Sequence, residues 1–322
     1  MTPIDNDVDP KRLRCRRFSG LLHLVAVLLL IIWEMLIPAP VDAADRVWLE
    51  PARATPSQGD WFPRSVEVVS CRIVAFDDQQ IRLVREGQGA ETVMPAGRVL
   101  WIEPDEVSDF ERNMISLFKQ GEYARSLSGL PDALRSRPPV WRQQWLTMLS
   151  ATSAWKSGKA EIALELVGQL DRRPLPAMVL AWLPIAWRNG AQPGVAITIA
   201  KQRLQDSSSA VRLVAASWLL SSPDRGQGVA IINELKQDPR VEIAQLAEIL
   251  SWRTATPPQV GQSSRTWEKR IEALPMALQT GPSRLLANKL QASGQEDAAK
   301  RLQWSLDLTP VYKLEQMNQD QQ

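Results

Sequence analysis

Between residues 108 and 312 the chain repeats itself, and that period constrains its fold more than any other feature. Apolar side chains recur there at three- and four-residue steps in segments of ten or more residues, the spacing of a buried helix face. Ile162, Leu166 and Leu170 illustrate one such face. Turn-like glycines stand at Gly121, Gly158, Gly190, Gly226, Gly261 and Gly294, roughly 34 residues apart. Prolines at Pro138, Pro174, Pro239, Pro275 and Pro310 keep the same step, and Asp206 to Ser209 supplies the stop where one proline is missing. A helix-turn-helix unit of this length cannot bury its apolar face alone, so the units must stack. The spacing predicts about six helix pairs, with Thr254 to Ser264 loop-like.

Some residues carry more than the period. Gly121-Glu122-Tyr123 follows Leu117-Phe118. Gly158 is followed by Ala163 and Pro174, and Gly294 by Ala299 and Pro310, at matching offsets. In these features residues 108–312 resemble the tetratricopeptide-repeat family. There the glycine allows the turn, the alanine lets two helices approach, and the proline opens the next unit. The middle units depart from the pattern: Gly190 has its alanine one place late, at Ala196, and the units at Gly226 and Gly261 reach their proline sooner. The resemblance implies an α-solenoid with an extended surface for protein or peptide partners. A generic solenoid or an irregular helical bundle fits the period as well.

Residues 45–104 have a different period. Ser65 to Phe76 is rich in β-formers, Asp77 to Gln80 is a polar loop, and Ile81 to Val84 resumes the strand pattern, which together make a hairpin. Gly87-Gln88-Gly89 and Pro95-Ala96-Gly97 read as turns flanking Thr92-Val93-Met94, and Val99 to Ile102 is the last strand. Strands this short must hide their edges. The stretch resembles an SH3-like or Sm-like small barrel, so the expected fold class is mixed and multidomain: a small all-β barrel followed by an all-α, TPR-like solenoid. Glu103 to Glu106 reads as a linker, and Ser108 or Asp109 as the cap of the next helix. Residues 313–322 are polar and aperiodic, the pattern of a disordered tail.

The N-terminus reads as an export signal. Five positive charges lie within residues 11–17, an apolar run spans residues 21–37, and Val41-Asp42-Ala43 places small residues before a cleavage point. Residues 1–43 are then a signal peptide or an uncleaved membrane anchor through residues 21–37, interrupted by Glu34. Either way the rest of the chain is exported, to the periplasm or cell envelope, and touches membrane only through that segment. His23 and Cys15 belong to the same segment, which leaves the exported part with no histidine and the single thiol of Cys71. That excludes Ser-His-Asp and Cys-His catalysis, histidine metal sites and an internal disulfide. Cys71 sits in a strand-like run and reads as a small buried hydrophobe.

No Gly-rich phosphate loop and no Gly-x-Ser-x-Gly elbow is present. A net charge of +2 offers no electrostatic argument for nucleic acid. Asp77-Asp78 reads as turn chemistry, and Glu161/Glu165 as a solvated face. No catalytic, cofactor or metal residue is therefore assigned. Nine tryptophans fall in the helical region, where indoles fill the wedge between stacked helix pairs or line a groove that holds a partner. Trp182 and Trp187 cannot share one narrow helix face, so one of them is the better candidate for exposure. Arg142, Arg188 and Arg212, expected on neighbouring first helices, either add charged contacts or are solvated surface arginines. The leading expectation is a non-catalytic exported scaffold that binds protein or peptide partners. The alternatives are a barrel that binds cell-wall polymer, with the helices as spacer, and, more distantly, a carboxylate-dependent glycan hydrolase.

Overall fold

Five short strands form one antiparallel sheet, ordered β4-β3-β2-β1-β5. They are β1 (Asp45–Leu49), β2 (Glu67–Phe76), β3 (Gln80–Arg85), β4 (Glu91–Pro95) and β5 (Val99–Glu103). The coordinates are a computed structural model, which describes residues 44–50, 66–105, 107–188, 190 and 192–308. The expected signal or anchor segment, Pro310 and the tail lie outside the described residues. β2 is long enough to serve two neighbours, pairing first with β1 and then with β3 through Cys71. Alternate residues Val69, Cys71 and Ile73 point inward, as a pleated strand requires. Val74 is then an extra residue opposite β3. This bulge shifts the alternation by one, so Phe76 is buried and Val74 is exposed.

A second irregularity lies between β1 and β5. Leu49 pairs with Val99 and Trp48 with Trp101, which leaves Leu100 unmatched. Val99 and Ile102 face the sheet interior with Val47 and Leu49, while Leu100 and Trp101 turn to the helices. β5 is thereby buried along Val99 to Ile102. Between β4 and β5 the chain makes a single 3₁₀ turn, Ala96–Arg98. Asp77 holds the β2–β3 turn, its Oδ1 accepting from the backbone N–H of Gln79 at 2.9 Å and of Gln80 at 2.8 Å. That is the turn role expected for it.

The helical region comprises α1 (Asp109–Lys119), α2 (Tyr123–Ser128), α3 (Leu130–Arg135), α4 (Val140–Lys156), α5 (Ala160–Leu170), α6 (Ala177–Ala181), α7 (Gly194–Gln202), α8 (Ser209–Leu219), α9 (Arg225–Leu235), α10 (Val241–Ser251), α11 (Pro257–Glu272), α12 (Thr280–Ala292) and α13 (Glu296–Leu308). The Ser108 hydroxyl accepts from the Glu111 N–H and caps α1. Three of the marker glycines behave as expected. Gly121, Gly158 and Gly294 have φ of +76°, +74° and +79°. Each ends a helix with the same two bonds, illustrated by Gly158 N–H to the Trp155 carbonyl and Lys159 N–H to the Ala154 carbonyl. This is a left-handed glycine stop, and the next helix starts two residues on.

The other markers need correction. Gly226 and Gly261 lie inside α9 and α11 and make no turn. The loop expected at Thr254 to Ser264 is mostly helix. Pro257 and Pro258 occupy the first turn of α11, where a missing N–H costs nothing, and Thr256 with Gln259 forms a capping box. Ile162 is exposed, and the buried face of α5 runs instead through Ala163, Leu166, Val167 and Leu170. Where the spacing predicts the first helix of a third unit, no full helix forms. α6 is only five residues long, and Pro184 and Pro193 interrupt the stretch that follows.

That interrupted stretch carries buried Leu183 and Ile185. Their core is continuous with the rest of the helices and with the sheet. Distant segments meet at β5. Leu100 packs with Met276 and Ala277 of the 3₁₀ turn Met276–Leu278, and Ala181 packs against them. The Met276 N–H donates to Glu50 Oε2 at 3.3 Å. Indoles stack between helices: Trp155 of α4 on Trp218 of α8 with centroids 4.1 Å apart, and Trp252, just after α10, on Trp267 of α11 at 4.7 Å. Among the described residues no helix is long and apolar enough to cross a membrane.

Candidate binding groove

The five residues singled out from sequence fall in different surroundings. Trp182 caps the end of α6 and packs inward, with ring centroids 4.9 Å from Trp101 and 6.2 Å from Phe118. Its carbonyl accepts from the Thr152 hydroxyl at 3.1 Å. Trp187 is half-buried and its indole lies over Gly281, where a Cβ would collide with the ring. Neither tryptophan lies within a helix, because α6 ends at Ala181 and Pro184 and Pro193 interrupt the stretch after it.

Arg142, on α4, ties the sheet to the helices. It lies 3.5 Å from Asp45 and 3.6 Å from Glu111, and it donates to the Asp105 carbonyl at 3.0 Å. All three side chains are largely buried. Arg212, on α8, donates to the Leu204 carbonyl at 3.2 Å and pairs with Glu234 at 2.5 Å. The hydrogen bond and charge of Arg212 hold the Glu234 carboxyl below its ordinary range. Arg188 alone of the five is an exposed lining residue of a cleft. It lies outside any helix, in the interrupted stretch after α6.

That cleft has a volume of about 460 Å³ and is lined by Arg188 with Asn288, Gln291 and Ala292 of α12. A second cleft of about 290 Å³ shares Asn288 and Gln291 and continues onto α13 at Glu296, Lys300 and Gln303. The two form one groove because Asn288, Gln291 and Ala292 recur at helical spacing on one face of α12. The left-handed stop at Gly294 folds α13 back beside it. Glu296 and Lys300 pair with each other at 3.6 Å.

Two cations lie beside the stretch that carries Arg188. Buried Arg253 donates to the Ala186 carbonyl at 2.7 Å, to the Ser217 carbonyl at 2.8 Å and to the Ser221 hydroxyl at 2.5 Å. Its first acceptor is two residues from Arg188. Lys289 Nζ donates to the Arg253 and Ala255 carbonyls at 2.7 and 3.0 Å. Burial pushes the Arg253 guanidinium down to about 10, and nearby Arg225 adds to the effect. Lys289 is lowered by burial first, then by Arg225 and Arg253.

The lining residues Asn288 and Gln291 were not foreseen from sequence. They lie on α12, some hundred residues beyond Arg188, and no local sequence pattern ties them to it. Of the segment around Trp182 and Trp187, only Arg188 lines the cleft. Among the described residues no group of three acidic, histidine or cysteine side chains is placed to hold a metal ion. No family model, curated protein or solved structure matches the chain.

Proposed function

We propose that the protein is a non-catalytic exported scaffold whose helices form a TPR-like solenoid and hold an extended protein segment in the groove along α12 and α13. The observation that carries this is the shared lining of the two clefts. Asn288 and Gln291 join them into one polar channel, and side-chain amides both donate and accept, as a peptide backbone requires. The three glycine-ended helix pairs support a repeat architecture, and the 3₁₀ turn between β4 and β5 supports an SH3-like barrel at its start. The export signal supports a place in the cell envelope.

Site-specific photocrosslinking tests the proposal. A crosslinking amino acid at Gln291 of the full chain, in its native cells, should yield discrete protein adducts. The same group at Val93, exposed on β4, serves as the comparison. Absence of adducts at Gln291, or the same adducts at both positions, would refute the groove as the binding site.

A second reading rests on the outer sheet face, where Val68, Val74 and Val93 are exposed. Such a patch suits contact with a cell-wall polymer. Sedimentation of the full chain with purified wall sacculi, lost on Val93→Asp, is the expected result. A chain that stays in the supernatant refutes this reading.

A further inference from the structure

Sequence and fold mark the same peptide bond. The small residues at Val41 and Ala43 place cleavage after Ala43, and the compact unit that holds the sheet and the helices begins at Ala44. β1 starts one residue later, and its first side chain, Asp45, is already buried. Hydrolysis of the Ala43–Ala44 bond takes up one water and leaves a carboxylate on Ala43 and an amine on Ala44. At neutral pH that amine is mostly an ammonium, a charge the uncut amide does not carry.

The charge appears beside a cluster that is short of one. Among the described residues Asp45 and Glu111 share a single guanidinium, Arg142, at 3.5 and 3.6 Å. The Glu111 side chain is 2% exposed. Its Oε1 accepts from the Ser136 hydroxyl at 2.9 Å, but its Oε2 accepts no hydrogen bond. The cations next in sequence are engaged elsewhere: Arg46 pairs with Glu103 at 2.9 Å and Arg112 with Asp109 at 2.6 Å. Two buried carboxylates against one guanidinium leave a negative charge uncompensated, which is costly away from water. Ala44 is half-buried and adjoins Asp45, ~3.8 Å from Cα to Cα. Resting on the export reading, we propose that cleavage after Ala43 completes this cluster. The new α-ammonium of Ala44 offsets the surplus charge of Asp45 and Glu111, so the cut itself stabilises the exported fold.

The test compares two chains recovered from the envelope of expressing cells: the native sequence, and one with Gly-Ser inserted between Ala43 and Ala44. The insertion keeps the residues before the cut and moves the amine about 7 Å along the chain. Mass spectrometry should find Ala44 at the native N-terminus. The inserted chain should unfold at lower urea, with its unfolding equilibrium constant raised on the order of tenfold. Glu111→Gln should remove most of that difference. Acylation of the α-amine near neutral pH gives a readout separate from stability. It should run on the order of tenfold slower in the native chain, because an ammonium facing carboxylates holds its proton, and Glu111→Gln should speed it. Equal urea midpoints for the two chains, or equal acylation rates, would overturn the proposal; an N-terminus at Ala44 would then leave the export reading standing. A chain recovered with residues 1–43 still attached would overturn both the cut and the proposal, and would leave the groove untouched.

Discussion

Replacing Arg142 with methionine removes the guanidinium that joins the sheet to the helices. The side chains of Arg142, Asp45 and Glu111 are 12%, 8% and 2% exposed, so the substitution leaves two carboxylates in a poorly solvated place. Asp45 retains the N–H groups of Ile73 and Asp105, and Glu111 retains the Ser136 hydroxyl. Neither set cancels a full negative charge. Breaking a buried pair from one side costs about 3–5 kcal/mol. Methionine keeps much of the arginine stem, which limits the loss to charge and hydrogen bonding. At about 2–4 °C per kcal/mol for a chain of this size, thermal unfolding followed by circular dichroism should fall by roughly 10 °C. Adding Glu111→Gln removes one stranded charge and should restore at least about 1 kcal/mol, a coupling that a double-mutant cycle measures directly. A loss below about 1 kcal/mol is the magnitude of a surface ion pair and would refute the bridging role, as would strict additivity of the two substitutions.

Gly228→Ala should destabilise by about 1–3 kcal/mol, although alanine is the better helix former. Its Cβ would come 2.8 Å from the Ala216 carbonyl oxygen and 3.1 Å from Leu219, and a gain in urea-midpoint stability would contradict that close approach. Trp218→Phe should cost more than Trp141→Phe in the same assay. The Trp218 indole N–H donates to the Pro184 carbonyl at 2.7 Å, whereas the buried Trp141 N–H has no hydrogen-bond partner among the described residues; the reverse order would remove that hydrogen bond from the account. Cys71, pushed up to about 12 chiefly by burial and secondly by Asp45, should resist alkylation at pH 8 in a Cys15→Ser background until the protein unfolds. Because the folded state holds that proton more tightly, Cys71 should also contribute a loss of stability as pH rises from about 9 towards 12; a Cys71→Ala variant with the same alkaline pH profile would refute the linkage.

Much of the local structure was legible in the sequence because its causes act over a few residues. The Asp77 turn, the Ser108 cap and the stops at Gly121, Gly158 and Gly294 each follow from a side chain, or its absence, bonding within one turn of chain. Glycine as a marker failed at Gly226 and Gly261, since glycine also occurs inside helices, and the stretch Thr254 to Ser264, expected as loop, holds the two prolines that open α11. The groove was legible only in part. Arg188 was named, but Asn288 and Gln291 lie on α12, far along the chain, and no local pattern ties them to it.

The sequence alone determined the order of strands then helices and the local turns, caps and glycine stops within them. Tertiary structure decided which side chains the packing of these elements buries. It turned Arg142 from a candidate contact into an internal bridge and packed Trp182 against Trp101. It set Met276 against Glu50 across 226 positions of chain. Such outcomes depend on which units touch, and contact between units is fixed by packing of whole surfaces, which short-range patterning does not encode.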